Sequence, residues 1–310
     1  MTGKADFAQA RVLVVDWSGA GNPSPARPSA NSIWIAHADC ASGQVGARYL
    51  RTRHAAEATL LSEIAQARSA GRRLVVAIDV AFGYPAGFAA RLTGRARALD
   101  IWQWLAQHIR DEADNTNNHR AVAAMMNAAM GPGDGPLWGD GTRAGTPGLP
   151  RTKPPLPPGL AAHRQTERAA WAGRVVPKPV WQLAGNGAVG AQTLLAIPIM
   201  ERLRLAGGSA VRAWPFEDVA AAPVILAETY LSILRAELDA LVPRGTGIHD
   251  ENQARLLAAS LARVLSEGGA PALLAPRTGP EVLAEEGWIL GAGSEVALRA
   301  GALWVGRAAL

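Results

Sequence analysis

Two apolar runs in this chain, VLVVD at residues 12 to 16 and VVAID at residues 75 to 79, each close on an aspartate. Runs this short and this rich in Val and Ile, bounded by turn residues, read as buried strands rather than helices. The chain is thereby constrained to a buried sheet with a carboxylate at the end of at least two of its strands. Desolvating such a charge is costly unless it has a partner.

The segments around these runs set the order of elements. RVLVVD (11 to 16), NSIWIAHA (31 to 38) and VGARYLRT (45 to 52) are short, β-rich and separated by turn residues, and predict an antiparallel meander. HAAEATLLSEIAQARSAG (54 to 71) has helical spacing and a glycine stop, and RRLVVAID returns to the sheet. Helices are expected around 98 to 111 and 117 to 129, before the Pro/Gly-rich loop GPGDGPLWGDGTRAGTPGLPRTKPPLPPG at 131 to 159. A loop of that length inside a domain reads as a functional lid or a disordered segment. VWQLA is a further strand candidate, followed by a helix across 190 to 206 that Pro198 interrupts. Strands SAVRAW and PVILAETY, a helix from about 250 to 265 and a last strand EEGWIL complete the reading. The expected organisation is one α/β domain over 1 to 310, with 82 to 160 as an insertion.

Composition narrows the function classes. With 310 residues, 49% of them hydrophobic, the chain can bury a substantial core. The single cysteine, Cys40, excludes an internal disulfide framework and a cysteine-rich zinc site. The start MTGKADFAQARVLVV carries neither an export signal nor a membrane-length apolar run, so a cytoplasmic address is expected. The net charge of +5 is spread over the chain without a dense basic run, which permits nucleic-acid binding without indicating it.

Asp16, Asp79 and Glu228 end the strand candidates VLVVD, VVAID and VILAE, and Asp250 opens a helix. Convergent carboxylates are what a hard divalent cation needs, so Mg²⁺ or Mn²⁺ is the expected cofactor. Each acid also has a structural use: Asp16 as a turn cap, Asp79 fixing the GYP bend, Glu228 on an edge strand, Asp250 with Gln253 as a capping box. GNGAVG at 185 to 190 is a G-x-G-x-x-G with Glu217 beyond it, but that acid lies past the ~20-residue offset of a dinucleotide fingerprint. A glycine turn with close helix packing is the better reading there.

In the meander, the first-strand Asp16 and the acid ending the fourth strand, the chain resembles the ribonuclease H-like superfamily. The stretches AIDVAFGYPAG, HRQTERAAW, KPVWQLAGNGAVGAQTL, WPFE, LAETYLS, HDENQAR and EEGWIL resemble the family of RNase H-like nucleases described mostly as a domain of unknown function, over about residues 10 to 290. The resemblance implies an α/β fold with a mixed sheet, three antiparallel strands then parallel ones, flanked by helices. It makes Asp16, Asp79, Glu228 and Asp250 the catalytic and metal-ligating set, and a nucleic acid the partner. Gln253 departs from a pattern that often has a second acid three residues after the first.

The expected reaction is metal-dependent phosphodiester hydrolysis, with the carboxylates positioning the cations. Arg164, Glu167, Lys178 and Arg255, with His163, are candidates for phosphate contacts or salt bridges, and His249 for a proton relay or a solvated surface residue. Trp17 and Trp138 sit in glycine turns where bases could stack, while Trp34, Trp181 and Trp214 fit strand patterns of the core. Two other classes remain open: an actin-like or sugar-kinase-like ATP-dependent phosphotransferase, and a non-catalytic binding protein of the same fold.

Overall fold

The computed structural model describes residues 7 to 308 apart from 134, 171 to 176, 186 and 244, with side chains to 303. Six strands form one sheet: β1 (Arg11–Asp16), β2 (Ile33–Asp39), β3 (Val45–Leu50), β4 (Leu74–Ile78), β5 (Val211–Ala213) and β6 (Val224–Glu228). Their spatial order is β3-β2-β1-β4-β6-β5. The first three pair antiparallel, whereas β1 with β4, β4 with β6 and β5 with β6 pair parallel. The expected meander and mixed α/β sheet are therefore present.

Eleven helices are described: α1 (Arg53–Ser69), α2 (Phe88–Thr93), α3 (Ala98–His108), α4 (His119–Ala128), α5 (Gln165–Ala169), α6 (Gly190–Gly207), α7 (Arg235–Leu241), α8 (His249–Ser266), α9 (Ala270–Leu273), α10 (Pro280–Glu286) and α11 (Glu295–Ala308). The sheet divides the core. Leu13, Val15, Val76, Ile78 and Leu226 point to a cluster with α1, α3 and α6, while Val12, Val14, Val75, Ala77 and Ile225 point to one with α8. Strands covered on both faces carry continuous apolar runs, which is why β1 and β4 show no polar alternation.

Several expectations are corrected. VWQLA is not a strand; Gln182 makes only an isolated bridge with Trp138. EEGWIL is not one either: Glu285 and Glu286 end α10, and Ile289 makes one bridge with Glu228. Pro198 does not interrupt α6, which runs for 18 residues. Proline removes one helical hydrogen bond, but Leu194 to Met200 are all buried, and that packing outweighs the loss.

The 131 to 159 loop, of which residue 134 is not described, is fastened to the body between Leu137 and Leu149. The Asn127 amide donates to Leu137 O and Gly148 O, both at 2.9 Å, and its Oδ1 accepts from Leu137 N. Leu137 and Leu149 are buried in the core. Trp138 N donates to Trp181 O at 3.0 Å and Leu183 N to Trp138 O at 2.8 Å, tying the loop to the segment before α6. Among the described residues, no helix is long and apolar enough to cross a membrane.

Candidate active site: an acid cleft at the central strand ends

Strand register decides where the acids go. Val15 pairs with Ile78 across the parallel β1 and β4, and Asp79 N donates to Val15 O at 2.9 Å, so Asp16 and Asp79 leave neighbouring strand ends together. Side chains alternate along a strand. Asp16 shares parity with Val12 and Val14, and Asp79 with Val75 and Ala77, so both head for the face that α8 covers. Asp250, in the first turn of α8, approaches from there.

Glu228 has the other parity. It pairs with Ile78, one residue short of Asp79, and turns to the opposite face. There Arg164 donates to both its oxygens, at 2.7 and 2.5 Å, and Phe82 N donates at 2.8 Å. Arg164 also donates to Glu167 at 2.9 Å and to Glu286 O at 2.8 Å. All three side chains of this Glu228, Arg164 and Glu167 cluster are buried. Burial pushes the Glu228 carboxyl up, against the pull of Arg164, whose guanidinium stays charged throughout.

The three aspartates are electrostatically coupled. Burial first, then the charges of Asp79 and Asp250, hold the Asp16 carboxyl well above the usual carboxylate range. Burial raises Asp79 to about 7, opposed by a hydrogen bond from Leu231 N and reinforced by Glu228. Asp250 is engaged on its outer side, where Asn31 N donates to Oδ2 at 2.6 Å. It does not cap α8: Ile248 is the N-cap, without a side-chain bond, so the expected capping box with Gln253 is absent. Gln253 instead lies on the wall of the same cleft as Asp16, Asp79 and Asp250, about 430 Å³ in volume.

The turn after Asp16 is fixed from two directions. The buried Arg53 donates to Ala20 O at 2.7 Å and to Ser18 O at 3.2 Å, and Gln192 Nε2 donates to Trp17 O at 3.0 Å. Trp17, in its turn, and the strand-pattern tryptophans Trp34, Trp181 and Trp214 are buried, and Trp138 is half-buried against the core.

A second chamber of about 440 Å³ opens beyond Asp79 and shares Asn31, Asp79, Gly185, Ala188, Gln192 and Ser232 with the first. Lys178 is exposed at its rim, and Arg164, Glu167 and Glu228 form its floor. The other cation candidate, Arg255, is bound to Glu251 at 3.1 Å, His163 to Glu167 at 3.3 Å, and His249 is exposed. The GNGAVG segment forms the turn into α6. Gly185 and Gly187 take positive φ, and a Cβ at Gly190 would fall 2.5 Å from Val180 O. Asn186 of that motif, and Trp171 of HRQTERAAW, lie outside the described residues. Glu217 is turned to Arg204 and Ala213 N.

Reading the sequence for acids missed Asn31, Gln192 and Thr229. Of these only Asn31 carried a usable signal, an Asn in a turn, which is the residue type that tolerates its φ of 56°. Among the described residues, no group of three or more His, Cys, Asp or Glu side chains is closed tightly enough to hold a metal ion as it stands. No family model, curated protein or solved structure matches the chain.

Proposed function

We propose that this protein is a divalent-metal-dependent phosphodiesterase acting on nucleic acid through an RNase H-like arrangement of its sheet. The carrying observation is the coupling of Asp16, Asp79 and Asp250, from two adjacent parallel strands and the helix over them, in one open cleft. Three carboxylates lining one cleft, two of them with proton affinity raised first by burial, are a poor structural device and a suitable donor set for a hard cation.

Asp16, Asp79 and Asp250 would hold the cation, with the Gln253 amide on the same wall. A bound divalent cation supplies positive charge that activates a water and stabilises the leaving oxygen of a phosphodiester. The chain's own contribution is positional. Arg53 and Gln192 fix the turn behind Asp16, and Asn31 N orients Asp250. Glu228, fully engaged by Arg164, anchors the floor instead of adding a fourth free charge. Three acids and one amide favour a single cation over a pair.

The test is a Mn²⁺-dependent cleavage screen of the purified protein over single-stranded, duplex and branched DNA and RNA, beside Asp16→Asn. Cleavage by the wild type alone supports the reading. Equal cleavage by both proteins, or none of any substrate, removes it.

A further inference from the structure

The chamber beyond Asp79 has a composition that the acid cleft lacks. Its walls are divided almost evenly between polar and apolar groups, with Val80, Val189 and Ile289 among the apolar ones. Tyr230, half-buried, contributes a ring, and Asn31 and Gln192 stand on the wall shared with the acid cleft. Thr229, next to Asp79 in parity and position, is 3% exposed, lines this chamber, and its hydroxyl has no hydrogen-bond partner. A buried hydroxyl left unpaired costs free energy, so a ligand that draws the Thr229 hydroxyl toward the chamber relieves that cost. Lys178 supplies a cation at the rim, its Cγ close to Gly187.

We infer that this chamber receives one nucleoside of a phosphate-bearing substrate, with the attached phosphate toward Lys178 or the acid cleft. The inference rests on the phosphodiesterase reading for its substrate class. A volume of about 440 Å³ falls in the range that encloses a small ligand, and a flat heteroaromatic ring with a hydroxylated sugar suits apolar walls that carry a few hydroxyls and amides. The buried ion cluster of Arg164, Glu228 and Glu167 lines the floor of the chamber. A space of this size suits a strand terminus, an extruded nucleotide or a free mononucleotide better than a base pair. The two sources share one chemistry, a nucleoside monophosphate.

The experiment is calorimetric titration of a nucleoside monophosphate into the metal-free full chain, for wild type, Asp16→Asn, Lys178→Ala, Thr229→Val and Val189→Trp. Saturable binding is expected in the wild type and in Asp16→Asn. Lys178→Ala and Thr229→Val should each weaken it by about 5- to 10-fold, the scale of one lost hydrogen bond. Val189→Trp, at a half-buried position on the wall, should abolish it, with far-UV circular dichroism verifying the fold. A short single strand that competes with the mononucleotide identifies a strand end as the ligand; lack of competition identifies the free nucleotide. Both support the chamber. No saturable binding by the wild type, binding untouched by Val189→Trp, or equal competition by a blunt duplex would overturn it. Because metal is omitted and Asp16→Asn is included, the result stands apart from the cleavage screen. Nucleotide binding without cleavage retires the phosphodiesterase reading alone, and cleavage without nucleotide binding retires the chamber alone.

Discussion

The backbone N–H of Asn31 donates to Asp250 Oδ2 at 2.6 Å across 219 residues of sequence, tying the loop between β1 and β2 to the first turn of α8. The loop begins directly after Asp16, so this hydrogen bond ties the segment leaving one aspartate to the helix turn that carries another. Asn31 has a φ of 56°, a left-handed conformation uncommon outside glycine. Replacing it by Val, whose branched Cβ resists that conformation, should loosen Asp250. The expected outcome is faster amide exchange in residues 19 to 31 and weaker Mn²⁺ binding, with little change in the exchange of β1 and β4. Unchanged exchange in the loop would show that Asp250 does not restrain it.

Asp16→Asn should remove Mn²⁺-dependent cleavage. The amide is isosteric but has lost its charge, and removing a ligand should cost more than the ~10–100-fold lost with an outer partner of a metal site. Melting temperature should hold or rise. A fall in melting temperature with metal binding intact would make Asp16 a turn residue.

The raised acids set a pH dependence. Asp16 and Asp79 have folded-state proton affinities above those of an unstructured aspartate, 3.8, so the folded chain keeps protons that the unfolded chain has released. Their contribution to stability is therefore most favourable below about 4 and is lost as pH rises through about 7, where Asp79 ionises. Metal-free protein should melt lower at about pH 8 than at about pH 5, and Asp79→Asn should flatten this difference. A slope in the mutant equal to that of the wild type would locate the effect elsewhere.

Glu228→Gln should behave differently from the aspartate variants. It leaves the buried Arg164 guanidinium with less negative charge against it, and breaking such a pair costs about 3–5 kcal/mol. Denaturant unfolding should register that loss. Glu228→Gln protein that folds as stably as wild type but fails to bind Mn²⁺ would return Glu228 to the ligand set.

These contrasts show what the sequence could carry. Asp16 and Asp79 were legible as a pair because each closes an apolar run, and parallel neighbours align such ends. The separation of Glu228 was not, because VLVV, VVAI and VILA are apolar at both parities and hide which face each following acid takes. The partner that claims Glu228 lies 64 residues away in HRQTER, where a salt bridge was one of two readings. α6 was misjudged at Pro198 because local propensity says nothing about a helix buried nearly all round. EEGWIL looked like a strand by its last residues, yet Glu285 and Glu286 are held in α10, accepting from Gly87 N and Ala86 N at 3.0 Å. The 131 to 159 loop looked like a lid. Its proline and glycine content conceals that Asn127 and two buried leucines fasten it, so its deletion should cost soluble protein rather than substrate use alone.

The central claim is that Asp16, Asp79 and Asp250 form one cation site with residue 253 on its wall. Calorimetric titration of Mn²⁺ into wild type, Asp16→Asn and Gln253→Asp tests it most directly. Affinity in oxygen-ligand sites rises with the number of charged ligands, so the account predicts saturable binding in the wild type, loss in Asp16→Asn and tighter binding in Gln253→Asp. Wild type and Asp16→Asn isotherms that coincide, or no saturable binding by the wild type, would contradict it.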